Sequence, residues 1–283
     1  MTKIILTTES GSDISTDLAS KHGVYVVPMH IVMDGKDYLD GELPVPEIFE
    51  FYERTKENPL TTSTNPHEYT DFFTQIRKEF PDSTIIHVGY TSKASSSFQN
   101  ALIAAKDFED IHLIDTLNVA GGLAAIVWHA IDKLESNPDI TPDELIKEIE
   151  EVIPKSKFAF IPGSLDFLKA GGRVSNAAYL AGILLKIKPR IELIDGKLVS
   201  TKKYRGKMSN VARKLMEDYL ADYKISKEQI YLLYSIGLDE TIKQEAEQLA
   251  KTNGFKNISW IEAGGMISSH SGPGGFGIAG LEE

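Results

Sequence analysis

The chain has no cysteine among its 283 residues. Disulfides, thiol nucleophiles and thiolate metal sites are therefore excluded. Long hydrophobic stretches are missing as well. Apolar runs such as residues 4–6 and 24–27 fall far short of the roughly 18 apolar residues that a membrane span requires. No basic-then-apolar leader opens the sequence, which points to the cytoplasm. The seven histidines are scattered, with no HExxH pair or other ligand spacing, so no metal is expected. Positive charge is in deficit too: 41 acidic residues face 30 basic ones, for a net charge of −11. A non-specific nucleic-acid binder needs a basic surface, so nucleic acid is not an expected partner.

What is present is enough apolar material, 42% of residues, to fill a sizeable interior. A chain of this length suits two domains. Up to residue 152 strand-like and helix-like segments alternate. Residues 4–6, 24–33, 84–88 and 111–114 read as strands; 15–22, 46–56, 66–80, 95–106, 118–134 and 142–152 read as helices. Asp34-Gly35 is a hairpin signal. This alternation predicts a parallel sheet flanked by helices, with ligands beyond the carboxyl ends of its strands. The loops at 7–13, 89–97 and 115–122 are therefore the places to look. The texture changes near Pro154. Residues 191–194 and 198–201 flank Asp195-Gly196 as a hairpin. Segments 211–219 and 240–252 read as helices, and 230–235 and 258–261 as strands. The expected fold is α/β in two domains. Residues 1–155 carry the parallel sheet; residues 156–283 form a mixed α/β domain with added antiparallel pairing, and a ligand lies between the two.

Three hydroxyl-rich clusters stand out. Thr61-Thr62-Ser63-Thr64-Asn65-Pro66 precedes a helix, where hydroxyls and free N–H groups favour an anion, although ordinary capping uses the same residues. In residues 91–97, five of seven side chains are hydroxyls, more than one cap needs. Glu9-Ser10-Gly11-Ser12-Asp13 reads equally as a turn with a cap. The tail 263–280 holds seven glycines in eighteen residues, with His270 among them. Its Gly272-Pro273-Gly274-Gly275-Phe276-Gly277 run matches a dinucleotide glycine pattern in letters only, because the required strand, helix and downstream acid do not frame it. No phosphate-loop motif and no Gly-x-Ser-x-Gly elbow occurs. Residues 165–171 read as a short helix ended by glycine, followed by Arg173, whose guanidinium suits a carboxylate or phosphate. Residues 177–187 are apolar with small members, which fits either plain core or a lipid-tunnel wall. Residues 202–207 form a local basic patch, either a solvated turn or a docking point for an acidic partner.

Together these blocks resemble the DegV family, which includes the fatty-acid-binding FakB proteins. The matching pieces are Thr8-Glu9-Ser10-Gly11-Ser12-Asp13, Ser63-Thr64-Asn65-Pro66, the Ser95-Ser96-Ser97-Phe98-Gln99-Asn100-Ala101 helix start, Leu168 to Ser175 with its Gly171-Gly172-Arg173 core, and His270-Ser271-Gly272-Pro273-Gly274. The resemblance runs essentially end to end. It implies a lipid-binding carrier, not an enzyme, that encloses one long-chain fatty acid between its domains. The carrier presents the carboxylate to a separate fatty acid kinase for acyl-phosphate formation in phospholipid synthesis. ATP and Mg²⁺ would belong to that kinase, and transient membrane contact would exchange the lipid. Matched by motif, Ser63, Thr64, Ser95, Ser96, Ser97 and His270 would hold the carboxylate, while Arg173 and Arg205 would face the mouth or the kinase. Ser95-Ser96-Ser97 stands where Ser-Gly-Thr is usual, and Ser63-Thr64-Asn65-Pro66 where Thr-Ser-x-Pro is usual. The reading from another class is a serine hydrolase or transferase with Ser95 as nucleophile and His270 as base.

Overall fold

The computed structural model describes residues 3–174 and 187–283. In chain order, the first half runs β1 (Ile4–Glu9), α1 (Thr16–Lys21), β2 (Val24–Val27), β3 (His30–Met33), β4 (Lys36–Leu39), α2 (Val45–Thr55), β5 (Leu60–Thr62), α3 (Pro66–Glu79), β6 (Thr84–Gly89), α4 (Ser97–Ala105), β7 (Ile111–Asp115), α5 (Ala120–Ser136) and α6 (Pro142–Val152). The second half runs β8 (Ser156–Ile161), α7 (Leu165–Gly171), β9 (Ile187–Ile194), β10 (Lys197–Arg205), α8 (Met208–Asp222), β11 (Gln229–Tyr234), α9 (Glu240–Thr252), β12 (Asn257–Glu262), α10 (Gly265–Ser271) and β13 (Phe276–Leu281).

The helices follow from their caps and stripes. In α3, Pro66 sits in the first turn and Asn65 and Glu68 form a reciprocal capping box. Tyr69, Phe73 and Ile76 then fall on one buried face at helical spacing. Thr141 and Glu144 repeat that device for α6, burying Leu145, Ile149 and Val152.

The strands form three sheets. The first, in the order β2-β1-β6-β7, is wholly parallel. The second, β10-β9-β8-β13-β11-β12, is mixed: its pairs are antiparallel except β11 with β12. The third is a small antiparallel sheet, β4-β3-β5. The α/β architecture therefore matches the expectation, and the two large sheets fall on either side of residue 155.

The largest core joins the two large sheets. Leu6 and Ile86 from the first, Leu123 and Val127 from α5, and Phe158, Leu233 and Ala279 from the second belong to one buried cluster. The outer face of the second sheet packs on α8 and α9. The other face of the first packs on α3 and α4.

Two local expectations are corrected. Residues 24–33 are not one strand: the run breaks around Pro28, which has no N–H for a ladder, and β2 and β3 join different sheets. Residues 60–62, two of them from the first hydroxyl cluster, form β5. The glycine-rich tail supplies α10 and then β13, an inner strand of the second sheet. There Gly277 takes a place that a Cβ would bring within 3.2 Å of Phe158. The basic segment 202–205 lies in β10 rather than in a turn, with Lys202 paired to Asp218 at 2.8 Å. The apolar segment expected at 177–187 lies outside the described residues, apart from Ile187, which opens β9.

Candidate functional site

A narrow, mostly apolar cavity lies between the parallel sheet's carboxyl edge and the inner face of the second sheet. It encloses about 860 Å³ of space free of protein atoms, part of it open to solvent. Phe158 and Phe160 on β8 form one wall; their rings stack with centroids 5.5 Å apart. Leu198, Leu233 and Gly277 extend that wall along neighbouring strands, and α10 contributes Met266 and Ile267 from another side. The loop after β6 supplies Tyr90, Ala94 and Ser95, and the loop after β7 supplies Val119 and Ala120, as the topology requires.

The cavity's polar end is made by Thr61, Ser63, Ser95, Arg173 and His270. Ser95 Oγ accepts the Ser97 N–H at 3.1 Å, so its own proton is free to donate. His270 Nε2 lies 2.8 Å from Thr61 Oγ1. Burial first, and then the positive charge of Arg173, push His270 down to about 4. The imidazole is therefore neutral at neutral pH, and in its Nε2–H form it leaves the Thr61 hydroxyl as a donor. Ser63 Oγ sits 2.7 Å from Ser96 Oγ and accepts from Asn100 Nδ2 at 3.3 Å. Neutral hydroxyl donors thus line an oily chamber with the exposed Arg173 at its rim, an arrangement that can hold an anion without burying a counter-charge.

Thr64 and Ser97, read from the sequence as carboxylate ligands, do not line the cavity. Thr64 Oγ1 donates to the Pro28 carbonyl at 2.7 Å, and the residue is 1% exposed. Ser97 is fully buried, with its Oγ 2.8 Å from the Tyr69 hydroxyl. Tyr69 in turn donates to Glu9 Oε1 at 2.9 Å. Glu9 also accepts the Tyr90 N–H at 2.7 Å. Burial alone would raise the Glu9 carboxyl; the His87 charge and these hydrogen bonds outweigh it and hold the group low. With Glu9 ionised, the Tyr69 proton points to it and the Ser97 proton points to Tyr69, so Ser97 has none to spare for the cavity. Ser96 is exposed at the mouth, which Arg173 also lines. Arg205 is exposed at the end of β10 and lines neither the cavity nor the mouth.

Tyr90 was missed from sequence, while Thr61 was picked out in the first hydroxyl cluster without being assigned to the carboxylate. Both Thr61 and Thr62 of β5 line the cavity, with Thr61 paired to Ile31 and Thr62 to His30. Ser95 and His270 share the cavity, yet no hydrogen bond joins them among the described residues. His270 Nδ1 abuts Gly171, where a Cβ would come within 2.2 Å. A nucleophile–base–acid relay is thus not assembled here.

A DegV domain-containing protein of Clostridium acetobutylicum is 31% identical over the full length of both chains. Another, from Caldanaerobacter subterraneus, is 31% identical over 98% of each. A solved structure described as fatty acid binding by a DegV family protein of Thermus thermophilus superposes with a TM-score of 0.88. It is 26% identical and covers 99% of this chain and all of the other. The model of the family described as "uncharacterised protein, DegV family" matches residues 3–283, and the chain belongs to that DegV family.

Proposed function

We propose that this protein binds one long-chain fatty acid, tail in the Phe158–Phe160–Leu233 cavity and carboxylate at Ser95, Thr61 and Ser63, with His270 orienting the Thr61 hydroxyl. The observation that carries this is the pairing of a mostly apolar chamber with the Thr61, Ser63 and Ser95 hydroxyls in its lining. The fatty acid bound by the Thermus relative supports it. Each buried methylene contributes roughly 0.8 kcal/mol, so about 14 of them give on the order of 11 kcal/mol before ordering costs. That holds a tail without a covalent bond.

The protein then acts as a carrier in the cytoplasm. Phosphoryl transfer needs metal ligands and phosphate donors in number. No group of three or more metal-ligating side chains occurs among the described residues. The reading assigns catalysis to a separate fatty acid kinase that brings ATP and Mg²⁺ and forms the acyl phosphate, with Arg173 and Arg205 facing it. Loading and unloading require transient contact with a membrane, and none of the described helices is long and apolar enough to cross one. The test is acyl-phosphate formation by a purified fatty acid kinase with this chain as carrier. Replacing Ser95 and His270 together by alanine should leave the circular dichroism spectrum unchanged and cut turnover by about 100-fold, as for the lost Ser95 hydrogen bond and a Thr61 donor no longer held in place. Unchanged turnover removes the assigned roles. A burst on an activated ester with a serine adduct would instead favour the hydrolase.

A further inference from the structure

Among the described residues that line the cavity, Tyr90 carries a buried hydroxyl that nothing uses. The residue is 4% exposed, and its hydroxyl makes no hydrogen bond with any described residue. The other buried hydroxyls of the lining are committed. Ser235 Oγ donates to the Gly272 carbonyl at 2.6 Å, and Ser271 Oγ to the same carbonyl at 3.3 Å. Tyr90 is also held in place. A Cβ at Gly11 would lie 2.8 Å from the Tyr90 ring and 3.3 Å from Met29 Sδ, so only bare backbone fits behind it. Glu9 Oε2 accepts the Tyr90 N–H at 2.7 Å, and the next N–H, of Thr91, donates to the Asn118 carbonyl at 3.0 Å. Burial first, and then Asp13, raise the pKa of the phenol, while Arg173 pulls it down. The phenol therefore stays protonated and can both donate and accept. Arg173 acts on His270 as well, and both line the polar end, so Tyr90 stands toward that end of the chamber.

We propose that the chamber selects fatty acids that carry a hydroxyl on the carbon β to the carboxylate, with the Tyr90 hydroxyl as its partner. The inference rests on the carrier reading above and narrows its substrate class. A plain methylene tail strips solvent from the phenol and offers no bond in return, which counts against that ligand. A hydroxyl near the head of the chain restores the bond. Tyr90 stands on the loop that carries Ser95, so a ligand held at Ser95 passes it within its first carbons. The carboxylate itself is a poorer partner there. Glu9, ionised and bonded to the Tyr90 N–H, opposes a second negative charge at the phenol, whereas a neutral hydroxyl meets no such repulsion.

The experiment is calorimetry on the delipidated full chain with palmitic acid, β-hydroxypalmitic acid and ω-hydroxypalmitic acid. Wild-type protein should bind the β-hydroxy acid about tenfold tighter than palmitic acid, the worth of one hydrogen bond, and the ω-hydroxy acid more weakly than either. Tyr90→Phe keeps the ring against Gly11 and removes only the hydroxyl. It should bind palmitic acid more tightly than the wild type does, and it should prefer palmitic acid to the β-hydroxy acid. An equal loss on these two ligands would make Tyr90 a carboxylate ligand and overturns the proposal. So does an unchanged ratio between them, or a wild type that prefers the plain or the ω-hydroxy acid. Failure to bind any of the three overturns the carrier reading with it.

Discussion

At the scale of single residues, the carboxylate end is governed by where protons point. Ser95, Ser96 and Ser97 are adjacent and chemically identical, yet they play three parts. Ser95 keeps a free proton for the cavity, Ser96 pairs with Ser63 at the rim, and Ser97 is committed to Tyr69. Sequence identifies the cluster but not this partition, because it depends on Glu9, which lies 60 residues from the Tyr69 that it binds. His270 was legible as a residue, and its neutral state was not, since that comes from burial and from Arg173. The state has a measurable consequence. The unfolded imidazole takes a proton near pH 6.5 while the folded one resists until about 4, so the unfolded form binds more protons in between and stability rises with pH across that window. Urea unfolding of the ligand-free protein should show up to about 2 kcal/mol of loss between pH 7 and 5 that His270→Asn lacks. A carboxylate beside the ring raises its pKa, so saturating fatty acid should diminish the loss.

At the scale of elements, two of the motifs that carried the family resemblance turn out to touch. Gly171, in the last turn of α7, leaves the space that the His270 ring of α10 occupies. The Gly-Gly-Arg block and the His-x-Gly-Pro-Gly tail are thus two halves of one contact. Gly171→Ala should fold normally, since alanine suits a helix, but displace the imidazole and weaken fatty acid binding about tenfold, the worth of one hydrogen bond, by calorimetry. The small sheet β4-β3-β5 was only partly read: Asp34-Gly35 marked its β3–β4 hairpin, but its strands are only three or four residues long and Pro28 sits inside the apparent run. Its register to α3 depends on His30, which bonds Asp37 at 2.9 Å and Glu68 at 3.0 Å. Burial lowers His30, but the two carboxylates outweigh it and the net shift is upward. The raised pKa means that this bridge stabilises below pH 6.5 and is lost as pH rises through the folded value. Amide exchange in residues 30–33 and 60–62, corrected for its intrinsic pH dependence, should accelerate as pH rises past that point. His30→Gln should remove the dependence.

At the scale of the whole molecule, the strands of the parallel sheet and the helices up to residue 152 were legible, because alternating periodicity and caps are local. The second sheet was only partly legible. Its β8 and β13 are inner strands that were not read as strands, and β13 is built from a segment whose glycines suit close packing across the sheet but leave no side-chain alternation to read. We propose the division into residues 1–155 and 156–283 as one of topology, with α5 and a common core binding the halves around the cavity. That cavity is the premise for everything else, and its contents can be weighed. The chain should be purified, extracted with organic solvent, and the extract quantified by mass spectrometry against protein concentration. The account predicts one long-chain fatty acid per chain, lost when Gly277→Phe fills the space between Phe158 and Leu233. Extracts free of fatty acid, from protein that also fails to take one up from solution, would contradict it.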